Sequence, residues 1–241
     1  MNGVFDRFYA IDFDRCLGDT DASFELLEES LEHLGIISGI DLKRARSWTE
    51  QRGESFSAFS YLRHRETSAG IESIVDYFQE AGLRKSGSLL EPGAHELLMH
   101  LSARGQHYGI MSFGDPQTQA SKIIAAGLGH IPRLIVDHPY KAKDIAQWQD
   151  PQTGFFVIPK ELSASGESFL VREVVLIDDK ATAFDGLPQG ALGYWIVKGQ
   201  QPLRFQDGVV PAKVVRLQSM DAIIGAESER LLTKHKLYDS M

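Results

Sequence analysis

Arg7-Phe8-Tyr9-Ala10-Ile11-Asp12-Phe13-Asp14 is the stretch on which the reading of this chain turns. A short apolar run that stops on acids predicts a strand buried on both faces, with its carboxyl end marked by chemistry. Residues two apart in an extended segment point the same way, so Asp12 and Asp14 can face one pocket. Two carboxylates that close repel each other unless a divalent cation lies beside them or one holds a proton, and either condition serves catalysis. A lone Asp-x-Asp is equally well explained by solvated acids at a turn, so the partners decide.

Working outward, four more runs have the same form. Gln106-His107-Tyr108-Gly109-Ile110-Met111 leads into Ser112-Phe113-Gly114, and Arg133-Leu134-Ile135-Val136 leads into Asp137. Val174-Val175-Leu176-Ile177 leads into Asp178-Asp179, and Tyr194-Trp195-Ile196-Val197 is the last. Helical periodicity lies between them, over Gly93 to Arg104, Gln117 to Ala126 and Asp144 to Trp148. Strands alternating with helices predict an α/β fold, a Rossmann-like parallel sheet with helices on both faces and ligands outside the carboxyl ends of the strands.

The stretch from about Asp19 to Ser88 breaks the alternation, with four helical patterns and no convincing strand. Ser23 is expected to cap a helix to Leu34, Asp41 one to Gln51, Ser55 one to Arg65 and Ser68 one to Ala81, which Gly82 ends. Its apolar residues, among them Leu26, Leu31, Phe59, Ile74 and Phe78, read as the insertion's own core. The predicted organisation is a core over 1–18 and 89–241 with a small α-helical domain inserted over 19–88. Gln149 to Val171 reads as a loop with a small strand at Phe155 to Ile158, and Glu227 to Met241 as a charged tail that frays or packs as a helix.

With 241 residues, 43% hydrophobic and 24% charged, the chain has the make-up of a folded globular protein. A net charge of -8 and the absence of any Lys/Arg run argue against binding nucleic acid. The single cysteine, Cys16, rules out an internal disulfide. No signal-peptide order opens the sequence and no apolar stretch exceeds strand length, so the expectation is a cytoplasmic protein without a membrane contact. Oligomeric state is not legible here.

Taken in chain order, Asp12 and Asp14, then Ser112, then a lysine at 141 or 143, then Asp178 and Asp179 all stand at strand ends or helix starts. This set resembles the four motifs of the haloacid dehalogenase superfamily of phosphohydrolases, whose helical cap follows the first strand as the insertion does here. The resemblance implies that family's fold, a Mg²⁺ ion and an aspartyl-phosphate intermediate. It leaves the substrate open beyond a small phosphorylated metabolite.

Phosphoryl transfer needs an in-line nucleophile, cations and donors for the spreading charge, and a proton for the leaving oxygen. Asp12 is the candidate nucleophile and Asp14 the acid and base. Ser112 is the candidate donor to a phosphate oxygen, with Lys143 or Lys141 as the balancing cation; Lys143 ranks first because it directly precedes the helical pattern, where the resemblance places the family's lysine. Asp12, the backbone carbonyl of Asp14, Asp178 and Asp179 are the candidate Mg²⁺ ligands, hard oxygens that suit magnesium better than zinc. Because successive strand residues face opposite ways, Asp178 is favoured as the direct ligand and Asp179 as direct or through water.

Arg15 and Cys16 stand where the family's pattern has Gly and Thr, which puts rate in question more than fold. Cys16 reads as a small residue packed beside the site, since no neighbouring base would make it a nucleophile. Specificity is expected from insertion residues such as Arg44, Trp48, Arg52, Arg63 and His64. The same acids would serve a phosphomutase, and loss of activity would leave a non-catalytic binding or regulatory module.

Overall fold

A computed structural model describes residues 3–36, 42–52, 56–64, 70–85, 87–198 and 210–238. Its strands are β1 (Phe5–Ile11), β2 (His107–Phe113), β3 (Arg133–Val136), β4 (Phe156–Ile158), β5 (Phe169–Asp178), β6 (Ala191–Ile196) and β7 (Val214–Leu217). Its helices are α1 (Thr20–His33), α2 (Leu42–Gln51), α3 (Ala58–Arg63), α4 (Ile71–Arg84), α5 (Ala94–Ala103), α6 (Pro116–Ala125), α7 (Lys141–Trp148) and α8 (Ala222–Tyr238).

The seven strands form one sheet in the order β3-β2-β1-β5-β6-β7, parallel throughout, with β4 added antiparallel to the start of β5. This is the Rossmann-like α/β arrangement that the alternating pattern predicts. Two strands exceed expectation. β5 begins at Phe169 rather than Val174, because Arg172 and Glu173 interrupt an apolar run whose first residues pair with β4. β7 is a four-residue edge strand with Val215 42% exposed, too short and too open to leave a periodic trace.

Alternation along the strands sorts the core into two layers. Tyr9, Ile11, Val175, Ile177, Tyr194 and Ile196 face one side; Phe8, Ala10, Val174, Leu176 and Ala191 face the other, against Ala142 and Ile145 of α7 and Phe156 and Phe184. The first layer also holds Leu26, Leu31, Phe59, Ile74 and Phe78 of the insertion. Those residues are core, as expected, but they share one continuous cluster with the sheet rather than forming a separate one.

Between Asp19 and Ser88 the described residues hold α1 to α4 and no strand. Asp19, not Ser23, caps α1, accepting 3.0 Å bonds from the amides of Asp21 and Ala22, while the Ser23 hydroxyl donates back to the Asp19 carbonyl. Ser57 caps α3, and α4 starts after Gly70; the expected caps Asp41, Ser55 and Ser68 lie outside the described residues. α4 does not end at Gly82. That glycine is where α4 lies on α6, and a Cβ there would sit 2.6 Å from the Ala125 Cβ and carbonyl oxygen. Arg63 donates to Gln117 at 2.5 Å, and the hydroxyls of Ser57 and Thr118 meet at 3.4 Å, so α3 is also tied to α6.

Near the amino-terminal rim of the sheet, Glu227 of α8 is fully met. Arg7 and Tyr9 (3.1 Å) donate to one oxygen and Tyr194 (2.6 Å) to the other, while Arg7 also pairs with Glu173 at 2.6 Å. The expected charged tail therefore begins inside a helix anchored by a buried acid. Among the described residues no helix is long and apolar enough to cross a membrane.

Candidate active site

The site begins where β1 runs out. Ile11 is level with Ile177 of β5, and the Asp12 amide donates to the Ile177 carbonyl at 2.8 Å, so Asp12 and Asp178 stand side by side at the carboxyl edge. The chain then turns sharply, with the amides of Cys16 and Gly18 both donating to the Phe13 carbonyl, at 3.2 and 2.7 Å. This turn puts Arg15 at φ 60°, the left-handed region in which a side chain is uncommon. Gly18 lies flat on the Phe13 ring, where a Cβ would fall 2.4 Å from a ring carbon. Lys198 bonds the Arg15 carbonyl at 2.8 Å and pairs with Glu91 at 2.8 Å, pinning the loop from the far side.

Lys141, the first residue of α7, reaches into this edge. Its Nζ is 2.5 Å from Asp12 Oδ1 and 2.6 Å from Asp178 Oδ2, and the Lys180 amide donates to the other Asp178 oxygen at 2.8 Å. All three charged side chains are almost wholly buried. Two carboxylates hold the Lys141 ammonium above the usual lysine range against the opposing effect of burial. Lys143 faces solvent, its Nζ 4.1 Å from the centroid of the Tyr140 ring. The helix starts three residues before Asp144, which turns Lys141 and not Lys143 toward the sheet.

Asp14 is turned to a different set of partners. Lys122 Nζ lies 2.5 Å and the Thr20 hydroxyl 3.0 Å from one oxygen, and Gln119 Nε2 is 2.9 Å from the other. Burial would raise this carboxyl, but Lys122 and the Lys122 and Gln119 hydrogen bonds outweigh it and hold it far below the ordinary aspartate value.

Asp179 is the counterpart of this satisfaction. It is 1% exposed, and neither carboxylate oxygen has a hydrogen-bond partner among the described residues. Burial pushes it up to about 7, against the attraction of Lys180, and burial likewise lifts Asp12 to about 6 against that of Lys141. Donor atoms of Asp12, Asp179 and Cys16 all lie within 4.8 Å of one another. Burial, with Asp12 and Asp179 as close neighbours, drives the Cys16 thiol well above its normal value. A buried Asp179 with no donor to either oxygen among the described residues, beside a buried Asp12, is a fitting seat for a divalent cation, with Asp12 and Asp179 as its acids. Ser112, next to last in β2, is buried, its hydroxyl also without a partner among the described residues.

No family model matches the chain, and no curated protein matches it. Among solved structures, a haloacid dehalogenase-like hydrolase from Burkholderia xenovorans LB400 superposes with a TM-score of 0.53 at 21% identity, covering 94% of this chain and 99% of that one. The chain has the haloacid dehalogenase-like fold. A protein described as a β-phosphoglucomutase from Thermotoga maritima is similar in the same way, with a TM-score of 0.51, 16% identity, and coverage of 93% and 99%. At these identities the likeness speaks for the fold alone.

Within the haloacid dehalogenase-like fold, the chain brings Asp12, Asp178 and Lys141 into direct contact, puts Asp179 beside Asp12, and sets Asp14 on the adjoining loop. Lys143 is not brought in. Gln119, Lys122 and Thr20 escaped the sequence reading. Gln119 and Lys122 are three apart on the helix that directly follows the Ser112 strand, so they share a face near the site. That spacing was visible, but the acid they serve lies in another segment. Of the expected specificity residues, Arg63 is engaged with Gln117, and Arg52 stacks on a Trp48 that is 61% exposed.

Proposed function

We propose that the protein is a Mg²⁺-dependent phosphatase of the haloacid dehalogenase type that hydrolyses a small phosphorylated metabolite through a phosphoaspartate on Asp12. The observation that carries this reading is Lys141 bridging Asp12 and Asp178 beside an Asp179 that lacks donors among the described residues. A buried nucleophile, a buried cation and a seat for a second cation then converge on one strand edge.

Asp12, Asp179 and the backbone carbonyl of Asp14 would hold the ion, with Asp178 orienting Lys141. When bound, the ion supplies positive charge against the negative charge that grows on the phosphoryl oxygens. Lys141 fixes Asp12 through one oxygen and leaves the second for in-line attack on phosphorus. As the P–O bond to the leaving group breaks, Lys141 and the Ser112 hydroxyl meet the phosphoryl oxygens. The leaving oxygen needs a proton, and Asp14 alone is ionised. The Asp14–Lys122 pair carries that proton on Lys122 Nζ and passes it through Asp14. Asp14, ionised again, then takes a proton from the water that cleaves the phosphoaspartate and returns it to Lys122, which restores the pair. The helices between Asp19 and Ser88 act as the cap and limit the substrate to small molecules.

The test is a panel of phosphomonoesters assayed for phosphate release with Mg²⁺ and with EDTA. Release that EDTA abolishes and that Asp12→Asn lowers by at least about a thousandfold is the expected result. Failure of every substrate, or an Asp12→Asn variant as active as the parent, rejects the reading. The deep burial of Asp12 and Lys141 also favours a phosphomutase, since a phosphoaspartate so placed is sheltered from water. Turnover primed by a bisphosphorylated sugar without net phosphate release would select it.

A further inference from the structure

Cys16 is wholly buried and takes no part in the steps above, yet its sulfur sits with the acids. The three donor atoms of Asp12, Cys16 and Asp179 come from the end of β1, the turn after it and the end of β5, and all lie within 4.8 Å of one another. Donors about 2.0 to 2.3 Å from one tetrahedral ion lie about 3.3 to 4 Å apart, so a shift of under about 1 Å closes the set on a common centre. The backbone is fixed there, because the Cys16 and Gly18 amides share the Phe13 carbonyl and the Asp12 amide is sewn to Ile177. Both Asp179 oxygens are buried without a partner among the described residues, an observation independent of the cysteine that points to a ligand at this place.

We infer that Cys16 is an additional donor of the Asp12–Asp179 cation site for thiophilic divalent ions such as Co²⁺, Zn²⁺ and Cd²⁺, and that its sulfur gives the site an added affinity for these ions over Mg²⁺. This rests on the reading of Asp12 and Asp179 as cation ligands in the proposed function. Carboxylate oxygens serve hard and borderline ions alike, whereas sulfur discriminates between them. With Mg²⁺ the thiol keeps its proton and makes no bond to the ion. With a thiophilic ion the S–H bond breaks, the proton leaves to solvent, and the sulfur lone pair forms the bond to the metal; nothing is oxidised or reduced.

The chain contains one cysteine, so any sulfur-to-metal absorption reports Cys16 alone. The full chain, stripped with EDTA, is titrated with Co²⁺ and with Cd²⁺ and followed by ultraviolet and visible absorption, while calorimetry gives the affinities for these ions and for Mg²⁺. The expected result is a charge-transfer band that saturates at one ion per chain. It disappears in Cys16→Ser, which also loses at least about tenfold in Cd²⁺ affinity and keeps its Mg²⁺ affinity within about twofold. Asp12→Asn is expected to remove the band with the cysteine still in place, which keeps the test usable if Cys16→Ser does not fold. Binding of Co²⁺ that depends on Asp12 but shows no sulfur band, with Cd²⁺ affinity unchanged in Cys16→Ser, overturns the inference and leaves the phosphatase reading standing. Binding of none of the ions, or binding indifferent to Asp12→Asn, overturns the cation site itself and the inference with it.

Discussion

Nζ of Lys141 lies 2.5 Å from Oδ1 of Asp12, with both side chains cut off from solvent. In the proposed reaction this one contact aims the nucleophile and brings the positive charge that the phosphoryl group meets. Lys141→Met is expected to lower turnover by at least about a hundredfold. Because it strands two buried acids, it is also expected to destabilise the metal-free protein by about 3 kcal/mol. Lys143→Met, the solvent-facing control, should change neither rate nor stability beyond about twofold and 0.5 kcal/mol. Steady-state kinetics and urea melts of the two variants side by side check this, and equal losses would count against Lys141.

Asp12 at about 6 and Asp179 at about 7 lie above the aspartate value near 3.9 of an unfolded chain. A carboxyl raised by folding adds stability at low pH that is lost as pH climbs through its folded value. The metal-free protein should therefore lose stability between about pH 4 and 7 through these two groups. Mg²⁺ needs the ionised acids, so its stabilising effect should grow over the same window. Melting temperatures at pH 5 and pH 8, each with and without Mg²⁺, are expected to show a larger metal-induced rise at pH 8. An equal rise at both values would place the ion elsewhere.

If Asp14 delivers the leaving-group proton, its loss should matter most where the departing oxygen is most basic. Asp14→Asn is expected to cost about a hundredfold or more on an alkyl phosphate and about tenfold or less on a nitrophenyl phosphate. Lys122→Met should follow the same order, since it removes the charge that holds Asp14 and the proton the pair carries. Equal losses on both esters would assign Asp14 a structural part only.

Alanine normally improves on glycine inside a helix by about 1 kcal/mol. At Gly82 the sign should reverse, because the new methyl would press on the Ala125 carbonyl that α4 rests against. A loss of about 1 to 3 kcal/mol in chemical denaturation is expected. A gain would mean that α4 and α6 can part at little expense.

Much of the fold was readable because it is written in local pattern. Apolar runs ending on Asp12, Ser112 and Asp178 give the strands, and parallel pairing brings their ends to one edge whatever lies between them. The site was less readable, because its details depend on angles between segments. α7 began one turn earlier than its periodicity showed, which exchanged the two lysines. Strand alternation favoured Asp178 as the direct ligand; in the structure Asp178 is engaged by Lys141, and Asp179, just past the last paired residue of β5, places its oxygens with the donor atoms of Asp12 and Cys16. Gly82 read as a helix end because its close contact with Ala125 is made by a helix in a separate stretch of sequence.

Glu227 and Asp179 are both acids buried within a few per cent of complete exclusion from water, one toward each rim of the same sheet. Every oxygen of Glu227 is answered by an arginine or a phenol, and that rim is electrically finished. Asp179 is left unanswered among the described residues, an incomplete circuit that an ion would close under the proposed function. On that proposal, what separates the reactive rim from the structural one in this molecule is not acidity or depth but a deficit of partners.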